Sequence, residues 1–537
     1  MALCIGLDIG TTNLAAVAFD SDGGRLRGCW SAPNRGRLDG TPGRAELDLA
    51  VTQRQVLDLL AQAAAELGDC HIAGIGVTGQ QHGVGFLDAD GTPVGPGITW
   101  QDQRAVHEPL PGGETALERY ARLARRTLSF GPSSSPPPLG EGGGGGGSLG
   151  HPAELSRSSP PPLAGSQAGA PDPFYRLGCQ PATGYLGPTL LWLQAMGQLP
   201  DVAGARACFI PDVAVAALIG SAPPCDPTDA GSSALFDIVS GVWDQALLSA
   251  LDLCWSLLPP VVPTGTIVGE LSPRAARATG LAAGTPVAVA MGDNQASYLG
   301  SVREPARSVL VNMGTGSQCS LLDDAFGRLD GVDTRWFPGG RYLYVGAGLF
   351  GGRSLAYLQG LFERVGRAFF QADAPPSLDA MVAEAAQVPP GADGLRCEPT
   401  FTGTRQDPAA RGGYTGIAPA NLTPGHLTRA LLEGMAGAFA TLYQGLAEAL
   451  EPREQLVGAG NGIRRNRLLQ TLLAEAFGLP LAVPAWGEEA AVGAAMSAAV
   501  GVGALPDWAA ASALVSYSAP GVTTSSTTSK KGNASCG

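Results

Sequence analysis

The sequence is poor in charged residues and lacks any long apolar run. Charged residues make up only 15% of the 537 residues, whereas 45% are hydrophobic. This balance excludes a disordered or fibrous chain and is typical of a compact protein with two or three domains. No apolar stretch approaches the roughly 20 residues that span a membrane, and none before Asp8 could form a signal-peptide core. We therefore expect a cytoplasmic protein.

Basic residues are also scarce, and the cysteines lack metal-binding spacing. The chain has 34 Lys and Arg against 47 Asp and Glu, which gives a formal net charge of −13. Such a surface repels phosphate-rich polymers, so we expect no nucleic-acid or membrane partner. The ten cysteines include no CxxC pair and no Cys/His cluster. This pattern argues against a structural zinc site and predicts free thiols in a reducing compartment.

Two segments lack any apolar period and stand apart from the rest of the chain. Residues 126–172 and 516–537 are dominated by Pro, Gly, Ser and Thr, so we predict a disordered insertion and a disordered tail. Elsewhere short apolar runs alternate with amphipathic stretches, which predicts α/β folding. A strand–turn–strand pattern opens each half of the chain. The sequence therefore predicts two similar α/β domains, residues 1–285 with the insertion and residues 286–515.

The first strand–turn–strand pattern carries a carboxylate and two hydroxyls close to its turn. Asp8 lies near the end of an apolar strand and is followed by Gly10, Thr11 and Thr12. A glycine lets the backbone approach a phosphate, and the N–H groups of such a turn can bind an anion. Asp8 could hold a magnesium ion through water. The alternative is an ordinary hairpin with one buried aspartate.

The second pattern repeats these features later in the chain. Gly314, Thr315 and Gly316 form a turn between two apolar strands. Two such hairpins, one opening each half, indicate a nucleotide phosphate chain held between two lobes. The chain contains no GxxxxGK[ST] segment, which excludes a P-loop protein.

In a third segment an apolar strand is followed by a glycine and then by an aspartate at the predicted start of a helix. Asp293 follows the apolar strand 287–290 and lies near the junction of the two halves. A carboxylate there could accept the proton of an attacking hydroxyl group. The alternative is that Asp293 only caps the helix.

A fourth group of polar residues follows two predicted strands. Gln81 and His82 lie in the segment GVTGQQHG, and Trp100, Asp102 and Arg104 lie in TWQDQR. Mixed donors, acceptors and an aromatic face suit a polyhydroxylated sugar. A structural role for these residues is the alternative, for His82 in particular.

Two glycine-rich segments occur in the second half. Residues 346–351 match GxGxxG between a predicted strand and a predicted helix, which is formally a dinucleotide fingerprint. We expect a packing role or a position near the nucleotide, because this element does not open a βαβ unit. The segment Gly458, Gly460 and Asn461 follows another strand, where glycine permits close approach of a flat base.

In this order the six elements resemble the FGGY carbohydrate kinases, over nearly the whole chain apart from the insertion and the tail. Within that family the segments GVTGQQHG, TWQDQR, TGYLGPTLLWL, MGDNQAS and GAGNGIRRN are most similar to the sedoheptulokinase group, with the xylulokinase group next. The resemblance implies two actin-like (ribonuclease H-like) domains flanking a nucleotide and sugar cleft. It also implies ATP and Mg²⁺ as cofactors, a monomer or homodimer, and conversion of sedoheptulose to its 7-phosphate for the pentose phosphate pathway.

The resemblance also implies roles for individual residues. Asp293 would be the general base on the ketose hydroxyl, and Asp8 would organise magnesium. Hydroxyl, glycine and asparagine positions would contact ATP: Thr11, Thr12, Gly314, Thr315, Gly316, Gly458, Gly460, Asn461 and Asn466. Polar and aromatic positions would shape the sugar site: Gln81, His82, Trp100, Asp102, Arg104 and Tyr185. The insertion departs from the family pattern, and it enters the chain close to the sugar site.

Two other functional classes remain as alternatives. One is a non-catalytic, actin-like ATP-binding regulator, and the presence of both Asp8 and Asp293 argues against it. The other is a dinucleotide-dependent oxidoreductase built on residues 346–351, which predicts binding of NAD(P) in place of ATP.

Overall fold

The computed structural model describes residues 2–38, 40–128, 172–314, 316–348, 350–372, 374–403, 407 and 409–518. Most of the predicted insertion, most of the predicted tail and Thr315 lie outside these residues. At the described edges of these segments the chain is regular. Residues 126–128 belong to a helix, and residues 516–518 hydrogen-bond to residues 483–485. Both segments were therefore predicted slightly too long.

The first half of the chain contains short strands and helices in alternation. Its strands are β1 (Leu3–Ile9), β2 (Asn13–Asp20), β3 (Arg25–Pro33), β4 (Arg37–Leu38), β5 (Glu46–Leu47), β6 (Ile72–Gly79), β7 (Gly85–Leu87), β8 (Gly97–Ile98), β9 (Arg206–Cys208), β10 (Phe236–Asp237), β11 (Val242–Trp243), β12 (Ile267–Glu270), β13 (Pro286–Ala288) and β14 (Met291–Gly292). Its helices are α1 (Leu49–Leu67), α2 (Arg104–His107), α3 (Ala116–Leu128), α4 (Leu186–Ala195), α5 (Ile210–Ile219), α6 (Pro227–Ala230), α7 (Gln245–Ala250), α8 (Pro273–Thr279) and α9 (Asp293–Leu299).

The second half has fewer strands and longer helices. Its strands are β15 (Ser308–Met313), β16 (Ser317–Asp323), β17 (Val332–Phe337), β18 (Arg341–Gly348), β19 (Arg396–Glu398), β20 (Gly413–Thr415), β21 (Gln455–Ala459) and β22 (Leu481–Ala482). Its helices are α10 (Gly352–Phe370), α11 (Leu378–Ala386), α12 (Pro424–Ala449), α13 (Asn461–Arg464), α14 (Arg467–Phe477), α15 (Glu489–Gly501) and α16 (Trp508–Ala513).

Local sequence explains where the long helices begin and which face they bury. Asp48 caps α1 by accepting a hydrogen bond from the Val51 N–H, and Thr423 caps α12 in the same way. Such caps satisfy backbone donors that the first helical turn leaves free. In α1 the buried positions Val56, Leu59, Leu60 and Ala63 follow the helical period and pack on the first sheet.

The two large sheets repeat one topology. The first sheet contains the path β3-β2-β1-β6-β13, and the second contains β18-β16-β15-β21-β22. In both, the opening strand pairs antiparallel with the next strand of its hairpin and parallel with a later strand. The prediction of two related α/β halves in a mixed α/β fold is therefore confirmed. The boundary at 285/286 falls inside the first sheet, because β13 and β14 pair with β6.

Helices α9 and α15 lie between the two sheets. Residues of α15 share one hydrophobic cluster with residues of both sheets. The helix packs against β1 and β6 so closely that a Cβ on Gly6 or Gly76 would lie within 2 Å of its backbone, at the carbonyl oxygens of Ala491 and Ala494 respectively. The small residues of α15 and the two strand glycines thus bring a helix of the second half onto the sheet of the first.

The structure also tests the predictions about the cysteines and about membrane-spanning segments. Eight of the described cysteines are free, but Cys70 is disulfide-bonded, so the prediction that all ten are free thiols is wrong for Cys70. Among the described residues, no helix combines the length and the apolar character needed to cross a membrane.

Candidate active site

Strand residues beside both predicted hairpin turns line one cavity. The cavity has a volume of about 220 Å³ and lies where β1, β15 and β16 meet α9 and the beginning of α15. Its lining is almost entirely polar: Asp8, Asp293, Asn294, Ser297, Asn312, Gln318, Glu488, Glu489 and Ala490. Elements from both halves of the chain therefore contribute to it.

Asp8 and Asp293 are the two predicted carboxylates in this cavity. Burial raises the pKa of Asp8 to about 8, and the negative charges of Asp293 and Glu488 contribute to that rise. Burial also raises the pKa of Asp293 to about 6, while the Arg335 guanidinium opposes that rise. A carboxylate with a pKa near 6 is ionised at neutral pH and still basic enough to accept a proton.

The helix that carries Asp293 begins at that residue. Its N-cap is Gly292, so Asp293 occupies the first helical position rather than the cap position. The side chain of Asp293 instead accepts a hydrogen bond from Asn294 Nδ2 at 3.0 Å. Asp293 therefore faces the cavity from the first helical turn.

A buried network holds the backbone just before Asp293. The N–H of Gly292 donates to Thr228 Oγ1 at 2.8 Å, and Thr228 Oγ1 donates to the carboxylate of Asp226 at 2.7 Å. Thr264 Oγ1 also donates to Asp226, at 2.6 Å. Because Thr228 and Asp226 are fully buried, this chain of bonds fixes the position of the strand end that delivers Asp293.

Gln81 links the predicted sugar segment to helix α9, which carries Asp293. Its Nε2 donates to Thr228 O and Gln295 Oε1, and its Oε1 accepts from Asn294 Nδ2 and Arg335 Nη1, all within 3.1 Å. The amide thus uses its two donors and its acceptor oxygen within the protein. These bonds favour a positioning role for Gln81 over direct contact with a sugar.

The predicted sugar site contains the rings of three residues, His82, Tyr185 and Trp100. The rings of His82 and Tyr185 stack with centroids 4.0 Å apart, and His82 has a positive φ of 74°. Trp100 is 38% exposed, and its Nε1 donates to Thr11 Oγ1 at 3.2 Å. A residue of the predicted sugar site therefore touches the predicted phosphate turn.

Asp102 and Arg104 form a buried ion pair. Arg104 Nε lies 2.8 Å from Asp102 Oδ1, and Arg104 Nη2 lies 2.5 Å from Glu46 Oε1. Asp102 also accepts a bond from the N–H of Ala45. Thr183, just before Tyr185, donates to the carbonyl of Asp102. The pair and its backbone thus join TWQDQR to β5 and to the segment before Tyr185, and its charges are neutralised within the protein.

The predicted adenine segment lies beside the second hairpin. β21 is parallel to β15, and a Cβ on Gly460 would lie 2.5 Å from the carbonyl of Met313. The N–H of Gly460 donates to Glu489 Oε1 at 3.2 Å. Asn461 is exposed at the start of α13, whereas Asn466 is buried and caps α14 through the N–H of Leu469.

The dinucleotide interpretation of residues 346–351 fails on topology. β18, which carries the first glycines, is antiparallel to both of its neighbours, β16 and β17. A dinucleotide fingerprint requires a parallel βαβ unit. The segment instead packs on the phosphate hairpin, since the N–H of Gly352 donates to the carbonyl of Gly314 at 3.3 Å.

Seven cavity-lining residues, Asn294, Ser297 and Ala490 among them, and one nearby cation were absent from the predicted site. Asn312, Gln318, Glu488 and Glu489 line the cavity, and Arg335 interacts electrostatically with Asp293. Two adjacent glutamates before an otherwise apolar helix were a usable signal for Glu488 and Glu489. The sequence offers no comparable signal for Arg335, whose importance depends on its contact with Gln81.

Comparison with known proteins decides the family. Residues 3–109 and 171–300 match the N-terminal domain of the FGGY family of carbohydrate kinases, and residues 309–502 match the C-terminal domain of that family. The chain belongs to the FGGY family of carbohydrate kinases. The gap in the N-terminal match, residues 110–170, overlaps the predicted insertion.

Individual relatives cover almost the whole chain. A glycerol kinase of Trichlorobacter lovleyi is 28% identical over 94% of this chain and 90% of its own length. An autoinducer-2 kinase of Salmonella paratyphi A is also 28% identical, over 94% and 87%. The structure of a xylulose kinase from Rhodospirillum rubrum has a TM-score of 0.74 and 26% identity, and the match covers 96% of this chain and 93% of that one. The protein is therefore an ATP-dependent carbohydrate kinase with the two-domain FGGY fold.

Proposed function

We propose that this kinase transfers the γ-phosphoryl group of ATP to the primary hydroxyl of a ketose, with sedoheptulose as its substrate and sedoheptulose 7-phosphate as its product. The observation that carries the reaction type is the pair Asp8 and Asp293 in one polar cavity, which Asn312 and Gln318 of the second hairpin also line. The product would enter the pentose phosphate pathway.

In this proposal Asp293 accepts the proton of the sugar hydroxyl. The hydroxyl oxygen forms a bond to the γ-phosphorus as the bond from that phosphorus to the β-bridging oxygen breaks, and ADP leaves. Burial and the nearby Arg335 leave Asp293 with a pKa of about 6, which suits a base that works near neutral pH. Backbone donors of the two turns, which include Gly10 and Gly316, would position the phosphates, whereas the N–H of Gly314 donates to the carbonyl of Gly316.

The cavity fits a magnesium ion bound together with ATP. Asp8 Oδ1 is buried and has no hydrogen-bond partner among the described residues. The described part of the chain contains no cluster of three His, Cys, Asp or Glu side chains that could hold a metal alone. This combination suits Mg²⁺, which binds through one or two carboxylates, water and substrate phosphates. Asp8 would hold the ion, which neutralises phosphate charge, and Glu488 lies on the same cavity.

The choice of sedoheptulose rests on the sequence segments around the sugar site. The segments GVTGQQHG and TWQDQR provide His82 and Trp100, and the ring of Tyr185 stacks on His82. These residues would line the sugar pocket. Gln81 and the pair Asp102–Arg104 would support the backbone around it. Xylulose is the second candidate, favoured by the similarity of the whole chain to the xylulose kinase of Rhodospirillum rubrum.

The test is release of ADP from Mg-ATP, measured with a panel of sedoheptulose, xylulose, ribulose and glycerol. The proposal predicts the highest kcat/KM with sedoheptulose. A clear preference for another member of the panel would contradict the substrate and keep the reaction. ATP binding without any sugar-dependent release of ADP would contradict the reaction and favour an ATP-binding regulator.

A further inference from the structure

Glu489, in the first turn of α15, binds the loop after β21 through one carboxylate oxygen. Its Oε1 accepts the N–H of Gly460 at 3.2 Å and a hydrogen bond from Arg464 Nη2 at 2.5 Å. The side chains of Arg464 and Glu489 are only 7% and 8% exposed. Glu489 also lines the active-site cavity. A buried ion pair thus joins the wall of the cavity to the loop that is predicted to border adenine.

Arg464 extends this connection to the helix that carries Asp293. Its Nη1 donates to the carbonyl of Pro484 at 2.6 Å, and its Nη2 also donates to the carbonyl of Trp486. The indole N–H of Trp486 donates at 2.7 Å to the carbonyl of Gly300, the C-cap of α9. One guanidinium therefore holds the loop after β21 against the segment that leads into α15, and that segment is bonded to α9.

The loop after β21 depends on such contacts for its conformation. Gly460 has a positive φ of 80° and is followed by α13, which is only four residues long and has no side-chain cap at its N-terminus. A helix this short does not persist without tertiary contacts. Glu489 binds the residue before α13, and Arg464 is the last residue of α13. The pair therefore fixes both ends of this short helix.

We propose that Arg464 and Glu489 are positioning residues for nucleotide binding, given the predicted place of the adenine base beside Gly460 and Asn461. The pair holds this loop in the conformation that receives the base, and neither side chain needs to touch ATP. Asp293 is held separately by the network through Thr228, so loss of the pair affects nucleotide affinity more than the transfer step.

The charge of Arg464 also influences the phosphates of ATP. Glu489 shares the cavity with the carboxylates of Asp8, Asp293 and Glu488. Arg464 offsets the negative charge of Glu489 at a distance of 2.5 Å. Removing the guanidinium alone would leave an unpaired buried carboxylate, which is strongly unfavourable. We therefore expect a larger effect from the loss of Arg464 than from neutralising Glu489.

A second ion pair with the same arrangement provides the matched control. In α12, Arg429 Nε lies 2.6 Å from Glu433 Oε1, and the N–H of Gly391 donates to the same oxygen at 3.0 Å. The side chain of Arg429 is 7% exposed, like that of Arg464. Neither Arg429 nor Glu433 lines the active-site cavity. Arg429→Gln therefore breaks an equivalent ion pair outside the nucleotide site.

The test measures the Kd of ADP by titration calorimetry without sugar, together with kcat, the KM for Mg-ATP and the free energy of unfolding. Arg464→Gln should raise the Kd of ADP and the KM for Mg-ATP about tenfold, with a much smaller change in kcat. Glu489→Gln keeps an acceptor for the Gly460 N–H and should raise both constants less. The double variant contains no unpaired charge, so its Kd should lie below that of Arg464→Gln. Arg429→Gln should lower the free energy of unfolding and leave both nucleotide constants unchanged.

Wild-type nucleotide constants in Arg464→Gln would overturn the proposal and assign the pair a structural role only. A lower kcat with unchanged Kd and KM would also overturn it. If Arg464→Gln does not fold, Glu489→Gln takes its place, because glutamine has nearly the shape of glutamate, and an unchanged Kd in that variant would contradict the proposal. Since ADP binding is measured without sugar, these outcomes do not depend on whether sedoheptulose is the substrate.

Discussion

The two hairpins that face the active-site cavity occupy equivalent places in the two halves but carry different side chains. Asp8 lies two residues before Gly10, and Asn312 lies two residues before Gly314. Asp8 Oδ1 has no hydrogen-bond partner among the described residues, whereas Asn312 Nδ2 donates to Ser297 Oγ at 2.8 Å. The amide in the second half bonds to helix α9, whereas one carboxylate oxygen in the first half has no protein partner among the described residues.

The two halves thus share a fold, but the hairpin of each half carries a different polar group. Both hairpins have glycine-containing turns, but of Asp8 and Asn312 only Asp8 carries a charge. The cavity already contains Asp293, Glu488 and Glu489, and each further negative charge would repel the phosphates of ATP.

Asp8→Asn makes the first hairpin resemble the second. We expect kcat to fall by about 100- to 1,000-fold, the usual cost of removing one preorganised electrostatic group. The loss should appear in ADP release at saturating sugar and in the Mg²⁺ dependence of nucleotide binding. Asp22→Asn, in the exposed turn after β2, is the control and should leave kcat unchanged. An Asp8→Asn enzyme with wild-type kcat and Mg²⁺ dependence would contradict the role of Asp8.

Asn312→Asp makes the second hairpin resemble the first. It adds a carboxylate to an acidic cavity and removes the donor to Ser297, so we expect the KM for Mg-ATP to rise about tenfold, or ~1.4 kcal/mol. Asn312→Ser removes the amide without adding charge and separates the two causes. An aspartate variant that behaves like the serine variant would show that charge balance is unimportant here.

Thr228→Val removes the hydroxyl that accepts the Gly292 N–H. An unsatisfied buried donor costs ~1–3 kcal/mol, so the free energy of unfolding should fall by that amount. We also expect kcat to fall while the KM for ATP changes little, because Asp293 loses its fixed position. Thr228→Ser retains the hydroxyl and should restore both quantities. Loss of stability with an unchanged kcat would assign Thr228 a structural role only.

The pKa of Asp293 predicts the acid side of the pH profile. The ionised form accepts the proton, and its pKa is raised to about 6, so kcat at saturating Mg-ATP, where the bound ion keeps Asp8 ionised, should fall as the pH drops below about 6. Arg335 lowers this pKa, so Arg335→Gln should move the same limb to higher pH. A profile with no limb near pH 6, or one that Arg335→Gln leaves in place, would contradict the assignment of the limb to Asp293.

Local patterns predicted much of the fold and the two carboxylates of the site. The hairpins, α1, α12 and the start of α9 were all indicated by apolar period and glycine position, because those signals act over a few residues. The place of α15 between the sheets was not indicated. It depends on contact between its small residues and glycines of β1 and β6, far earlier in the chain.

The same limit explains the sugar-site predictions. Residue type marked Gln81, Asp102 and Arg104 as polar groups available for a ligand. The structure commits their atoms to partners such as Arg335 and Glu46, which no local pattern connects with them. Hydrogen-bond saturation is a property of tertiary structure, so sequence spacing cannot distinguish a ligand contact from a buried support.

Asp293→Ala removes the carboxylate that is proposed as the base. ADP release by Asp293→Ala should be measured with Mg-ATP and the best sugar of the panel, together with its affinity for Mg-ATP. We expect sugar-dependent release to be lost almost entirely while nucleotide affinity stays within a few-fold of wild type. Sugar-dependent release at the wild-type rate would contradict the assignment of Asp293 as the base.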